Sequence, residues 1–265
     1  MSYKAPLEDM NFLINQVFNI DQQLSDIPAF SDFDQSLYAA ILEESAKFSE
    51  NVLYPLNRTG DEQGCQFKDG EVTTPSGFKD AYKAYGDGGW QGVSGDPEYG
   101  GQGLPKTINL LTEEMVYSSN TSFCLYSSLT NGAYQAIRAH ASDAVKALFL
   151  PPMLEGRWTG AMGLTEPHAG SDLGIIRSKA EPLESGKYLI NGTKIFITGG
   201  DQDLTENIIH LVLAKLPDAP EGPKGISLFL VPKINVLEDG SLGQSNGVSC
   251  GSIEHKMGIK HHQPV

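Results

Sequence analysis

The amino-acid sequence predicts an α+β fold in two segregated parts, an all-α domain over residues 1–156 and a small antiparallel β domain over 157–265. Two observations carry this. Apolar residues recur at helical spacing through the first part, and alternate with a period of two in the second. Helices grouped before strands also argue against an alternating parallel sheet.

In the first part, Asp34 and Ser36 are helix-start residue types. Leu37, Ile41, Phe48 and Val52 then fall on one face of a helix whose expected end is Pro55. A second helix is expected from Pro105, with Leu104 just ahead and Ile108, Leu111 and Met115 in one stripe. Further helices are expected over 76–85, 131–140 and 142–150, with Pro151-Pro152 closing this half. These stripes read as core.

In the second part, Trp158–Leu164 reads as a strand. Lys187–Ile190 and Thr193–Thr198 flank Asn191-Gly192, a strong hairpin signal. Asn207–Lys215 alternates Ile209, Leu211 and Leu213 with His210, Val212 and Ala214, and Gly225–Lys233 sets Ile226, Leu228 and Leu230 on one side. Loops rich in Gly, Pro and Asp separate these strands, over Pro217–Lys224 and Asp239–Asn246. Ser252–Val265 breaks off after a strand-rich segment without a further helix, so a following segment is expected to cover the open sheet edge.

Composition narrows the function classes. With 265 residues, 40% hydrophobic and 20% charged, the chain suits a folded globular protein with a sizeable core. Its net charge of −14 repels phosphate backbones and anionic lipid, so neither nucleic acid nor a membrane is an expected partner. A small anionic ligand remains open to it, since a few local donors can hold phosphate against the global field. No apolar run approaches the roughly 18 residues needed to cross a bilayer. The N-terminus lacks the basic start and apolar stretch of a signal peptide. Cys65, Cys124 and Cys250 match no metal-ligand spacing and suit a reducing cytoplasm. The N-x-[ST] matches at Asn57, Asn120 and Asn191 are therefore read as chance.

The segment with most chemical content is Gly160-Ala-Met-Gly-Leu-Thr-Glu-Pro-His-Ala-Gly-Ser-Asp-Leu-Gly174. It leads from a strand into a loop that offers consecutive backbone N–H groups, the hydroxyls of Thr165 and Ser171, and a close approach at Gly170. Such a loop suits a flat, hydrogen-bond-rich ring or a phosphate. A tight turn with Glu166 and Asp172 as surface caps is the alternative.

Five strings in this order resemble the acyl-CoA dehydrogenase family. They are Leu164–Asp172, Ile190-Asn-Gly-Thr-Lys-Ile-Phe-Ile-Thr198, Pro97-Glu-Tyr-Gly-Gly-Gln-Gly-Leu-Pro105, Gly225-Ile-Ser-Leu-Phe-Leu-Val-Pro232 and Glu254-His-Lys-Met-Gly-Ile259. The resemblance covers nearly the whole chain and is weakest over residues 1–30. The opening Tyr-Lys-Ala-Pro-Leu and the stretch Asn11–Asn19 are similar to the long members, of the 3-methylmercaptopropionyl-CoA dehydrogenase type. The resemblance implies that the β domain is a barrel and that a C-terminal helical bundle is missing. After Lys260 the chain reads His261-His-Gln-Pro-Val265 where the family has small and hydroxyl residues, an ending that a shifted reading frame or early stop would produce.

The resemblance also implies FAD. Met162, Leu164 and Thr165 would contact the isoalloxazine ring, and Gly170 and Ser171 would reach the flavin pyrophosphate or, through Ser171, the acyl-CoA. Phe196, Ile197 and Thr198 form the second strip, with Phe196 packed on the flavin and Thr198 donating a hydroxyl. Phe196 stands where tryptophan is common and Met162 where an aromatic is common. His168 replaces a frequent glycine and reads as a solvent-facing loop residue.

The implied reaction is α,β-dehydrogenation of an acyl-CoA thioester, in which a carboxylate takes the α-proton while the β-hydride passes to the flavin. That carboxylate belongs to the missing bundle, so no catalytic residue is assigned within the chain. An electron-transfer flavoprotein is the implied acceptor, and a homo-oligomer is implied for a full-length chain. The second hypothesis is an inactive flavin- or CoA-binding fragment.

Three other patterns are set aside. Gly247-Val-Ser-Cys-Gly251 has the G-x-S-x-G form of hydrolases without a strand leading into it. Gly101-Gln-Gly103 lacks the last glycine of a dinucleotide fingerprint. His261-His262 reads as an incidental pair, not a metal site.

Overall fold

In the computed structural model, which describes residues 2–260 and 265, side-chain caps from Asp34, Asn120 and Ser142 set where three of the longer helices begin. Helix α1 (Leu7–Phe12) runs through a π-helical turn at Leu13–Val17 towards α2 (Ile20–Ser25). Asp34 accepts from the Leu37 N–H and starts α3 (Gln35–Phe48). Pro55 does not end this helix. A π-helical turn at Ser49–Leu53 carries it into α4 (Tyr54–Gln63), and that wider turn re-spaces the backbone ahead of the proline, which has no N–H to offer.

The buried stripe is also one residue away from the expected one. Tyr38, Leu42, Ser45, Ala46, Ser49 and Leu53 are buried, while Leu37 is exposed. The helix lies between two clusters. Ile41 packs towards Met10, Ile108 and Met115 on one side, and Phe48 and Val52 towards Phe78, Tyr82 and Phe123 on the other. A single-stripe reading cannot see a helix wedged between two cores.

A small hairpin, β1 (Gln66–Lys68) and β2 (Glu71–Thr73), precedes α5 (Phe78–Asp87). The Pro97–Pro105 string is a loop in which Gly101 crosses Gly95 so closely that a Cβ would lie 2.1 Å from the Gly95 carbonyl carbon. Asp96 anchors it to a later helix by accepting from Arg138 Nη2 and Nε at 2.7 and 3.0 Å. Helix α6 (Lys106–Ser119) buries Ile108, Leu111 and Met115 as expected. Helix α7 (Thr121–His140) starts well before Asn131, because buried Asn120 caps it by accepting from the Phe123 N–H and donates to the Leu53 carbonyl. Helix α8 (Asp143–Leu154) contains Pro151 and Pro152 instead of stopping at them. Their carbonyls still accept from Glu155 and Arg157, and the turn comes at Gly156, with φ 73°.

The second part forms a mixed sheet, not a purely antiparallel one. Strand β3 (Trp158–Gly163) lies parallel to β6 (Asn207–Lys215), from Trp158 opposite Asn207 to Gly163 opposite Val212. Two parallel neighbours need a long crossover, and this one contains both candidate flavin strings. Strands β4 (Lys179–Pro182) and β5 (Tyr188–Asn191) form an antiparallel hairpin, and β7 (Ile226–Pro232) runs antiparallel to β6. Strands β8 (Ile234–Val236) and β9 (Leu242–Ser245) make a separate pair. Among the described residues these pairings form an open path and do not close a barrel.

The hairpin expected at Asn191-Gly192 is displaced. Its turn lies at Leu183–Lys187, and Thr193–Thr198 is not a strand. Gly192 is needed for another reason, since a Cβ there would fall 2.1 Å from Ser178 Oγ. Helix and sheet share one core, in which Tyr134, Leu150 and Met153 pack with Trp158, Ile209 and Leu211. Gly160 lets α7 lie directly on β3, its N–H donating to Thr130 Oγ1 at 3.0 Å. The opposite face of β3 and β6 is covered by Ile197, packed with Ala161 and Ile208.

Candidate functional site

The chain leaves the end of β3 at Gly163 and enters Leu164-Thr165. The Ile195 N–H donates to the Thr165 carbonyl at 2.9 Å, so the two strings that were separate in sequence lie edge to edge. Beneath them sits Glu166, only 3% exposed. Oε1 accepts from Lys194 Nζ at 2.8 Å, from Ser178 Oγ at 2.6 Å and from the Ser178 N–H at 3.0 Å, while Oε2 accepts from the Arg177 N–H at 2.7 Å. Lys194 Nζ also donates to the Leu164 carbonyl at 3.2 Å. Burial alone would push the Glu166 carboxyl up; the Arg177 N–H, Lys194 and Ser178 outweigh it and hold the carboxyl at about 2. Glu166 is thus no surface cap. Asp172 is one, accepting from the Gly174 N–H. His168 is largely exposed, and its Nε2 lies 3.1 Å from the Ile175 carbonyl and 3.6 Å from Glu166 Oε2.

The remaining residues divide by side. Met162 and Phe196 are 36% and 44% exposed, large for apolar groups so close to a core. Leu164, Thr165 and Thr198 are half-buried, and Gly170 and Ser171 are exposed. Ile197 points inward, and its N–H and carbonyl are both paired with Val265. The hydroxyls of Thr165, Ser171 and Thr198 have no hydrogen-bond partner among the described residues, and β3 forms the sheet edge beside them. A Cβ on Gly170 would meet only the Thr165 methyl, at 3.7 Å, so nothing inside the protein requires glycine there. Phe196 has φ 58°, a left-handed backbone that a bulky residue adopts only when its surroundings impose it. Lys256 Nζ lies 4.2 Å from the centre of its ring. The two joined strings thus carry exposed apolar side chains, idle hydroxyls and an open glycine. Such a surface suits a flat, polar-edged ring, and the residues present fit a flavin.

Two family descriptions together match most of the chain: "Acyl-CoA dehydrogenase, N-terminal domain" over residues 38–157 and "Acyl-CoA dehydrogenase, middle domain" over 161–264. The chain belongs to the acyl-CoA dehydrogenase family. It is 45% identical over 260 residues to 3-methylmercaptopropionyl-CoA dehydrogenase of Ruegeria pomeroyi, covering 98% of this chain and 44% of that protein. Butyryl-CoA dehydrogenase from Megasphaera elsdenii superimposes with a TM-score of 0.68 at 26% identity, over 88% of this chain and 55% of that one. An acyl-CoA dehydrogenase complexed with FAD from Bacillus anthracis gives 0.66 at 25%, over 88% and 35%. The chain spans about half the length of such relatives or less. Sequence reasoning missed the buried Glu166–Lys194 pair. The available signal was one acid and one base inside two strings that had to meet.

Proposed function

We propose that the chain is the flavin-binding portion of an FAD-dependent oxidoreductase that dehydrogenates an acyl-CoA thioester between its α and β carbons. One observation carries this reading: Met162 and Phe196 are exposed and the hydroxyls of Thr165 and Thr198 have no partner among the described residues, on two strings joined by the Ile195 N–H and the Thr165 carbonyl. Met162 and Phe196 would pack on the isoalloxazine ring, and Thr165 and Thr198 would donate to its polar edge. Gly170 and Ser171 would lie along the pyrophosphate, with Ser171 also reaching the acyl-CoA. Bound there, FAD supplies the hydride acceptor. The chain's own part is to orient the ring and keep water from one face of it. An electron-transfer flavoprotein is the acceptor we propose, the cytoplasm the compartment, and a homo-oligomer the assembly.

Glu166 does not serve as the base that takes the α-proton. It is buried, fully paired and held far below the range in which a carboxylate accepts a proton at neutral pH. That observation favours a second reading, a chain that binds flavin and CoA without turnover unless a base is supplied from outside these residues. Anaerobic mixing of the FAD-loaded protein with acyl-CoA separates the two. Bleaching of flavin absorbance supports dehydrogenation by these residues alone, and binding without bleaching supports the second reading.

A further inference from the structure

The string Glu254–Ile259 takes no part in the site described so far, yet one of its side chains reaches that site. Lys256 Nζ lies 4.2 Å from the centre of the Phe196 ring, within the range of a cation–π contact. The ammonium has no hydrogen bond or ion pair among the described residues, in a chain with 33 acidic residues to 19 basic ones. Carboxylates are plentiful, so the backbone and not a want of partners keeps this lysine on the ring. Its segment is anchored on two sides. The Cys65 N–H donates to the Lys260 carbonyl at 2.9 Å, and Val265 exchanges two backbone hydrogen bonds with Ile197, at 2.8 and 3.1 Å. We propose that Lys256 is a positioning residue, holding the Phe196 ring in the orientation in which it packs on a flavin. This rests on the reading that Phe196 faces that cofactor.

Phe196 needs such a hold. Its ring is 44% exposed on a backbone with φ 58°, so core packing constrains the side chain little. A loosely held ring gives up rotamer freedom when a ligand packs on it, and that loss subtracts from affinity. The ammonium is attracted to the negative face of the ring and restricts that freedom beforehand. A cation–π contact at a partly exposed position corresponds to about two- to fivefold in an equilibrium. Methionine keeps an apolar stem without the charge, whereas arginine keeps the charge and stacks on aromatic faces as well. A direct pairing of Lys256 with the FAD phosphates is the competing role, and only the positioning role requires the ring.

Two measurements on the purified chain test this. By NMR without flavin, the ring current should move the Lys256 Hε protons upfield in the wild type and leave them at ordinary shifts in Phe196→Leu. Ordinary shifts in the wild type overturn the contact. In an FAD titration, Lys256→Met should weaken binding by about two- to fivefold and Lys256→Arg should bind nearly as the wild type does. In the Phe196→Leu background, Lys256→Met should change the affinity no further. An unchanged affinity in Lys256→Met overturns the proposal. An equal loss with and without the ring overturns it too, assigning Lys256 to the phosphates. A wild type that binds no FAD removes the flavin from Phe196 and the role of Lys256 with it, whereas failure of the lysine variants alone leaves the flavin reading standing.

Discussion

Lys194 Nζ and Glu166 Oε1 lie 2.8 Å apart beneath two loops that sequence separates and the sheet brings together. The pair carries the site because each partner also reaches backbone. Glu166 takes the N–H groups of Arg177 and Ser178, and Lys194 takes the Leu164 carbonyl. The strip bearing Met162 and Thr165 is thereby tied to the one bearing Phe196 and Thr198.

Removing one partner leaves the other charge buried. Glu166→Ala is expected to cost about 3–5 kcal/mol in urea or thermal unfolding, because Lys194 and the Ser178 N–H lose their acceptor in a dry place. Lys194→Met should cost less than Glu166→Ala, since Arg177 and Ser178 still satisfy the carboxylate.

Glu166 also gives acid unfolding a signature. Its carboxyl is held at about 2 in the folded chain, below an ordinary carboxyl near 4.3, so the unfolded chain binds the proton first. The contribution is complete above about pH 4.3 and is lost as the pH falls towards 2, amounting to about 3 kcal/mol. Other carboxyls, such as Asp34 and Asp96, are also lowered by their hydrogen bonds and add to the acid dependence. The check is therefore the difference between wild type and Glu166→Gln, which should shrink across that window.

Two glycines separate fold from ligand. Gly192→Ala places a Cβ against Ser178 Oγ and should destabilise the chain by about 1–3 kcal/mol through overpacking. Gly170→Ala meets nothing closer than 3.7 Å and should leave stability within about 0.5 kcal/mol while weakening FAD binding.

Phe196 holds a left-handed backbone with its ring 44% exposed. Phe196→Gly should leave stability unchanged or raise it by about 1 kcal/mol, since relief of the backbone offsets the little burial that is lost. Flavin affinity should fall in the same variant. Denaturation and an FAD titration on one sample check both.

The division into helices and strands, the Ile108–Met115 stripe and the β3 strand were legible because each follows from local periodicity. Three features were not. Proline reads as a helix stop, yet Pro55 sits behind a π-helical turn and Pro151-Pro152 lie in the last turn of α8, where their carbonyls remain useful. Asn191-Gly192 has the chemistry of a hairpin turn, but its glycine answers a tertiary contact with Ser178. The parallel pairing of β3 with β6 is set by what lies between them, which no strand pattern encodes. In the site, the two strings stood out in the sequence, and the fold lays them edge to edge. They did not show that Glu166 faces inward or that Ile197 belongs to the core, because both depend on which side of the crossover meets the sheet.

The most direct measurement is a fluorescence titration of FAD into the purified chain, repeated with Thr165→Val and Gly170→Ala. The account expects saturable quenching by the wild type that weakens in both variants while their unfolding midpoints stay put. No quenching, or three superimposable curves, would contradict a flavin lying across Met162, Thr165 and Phe196.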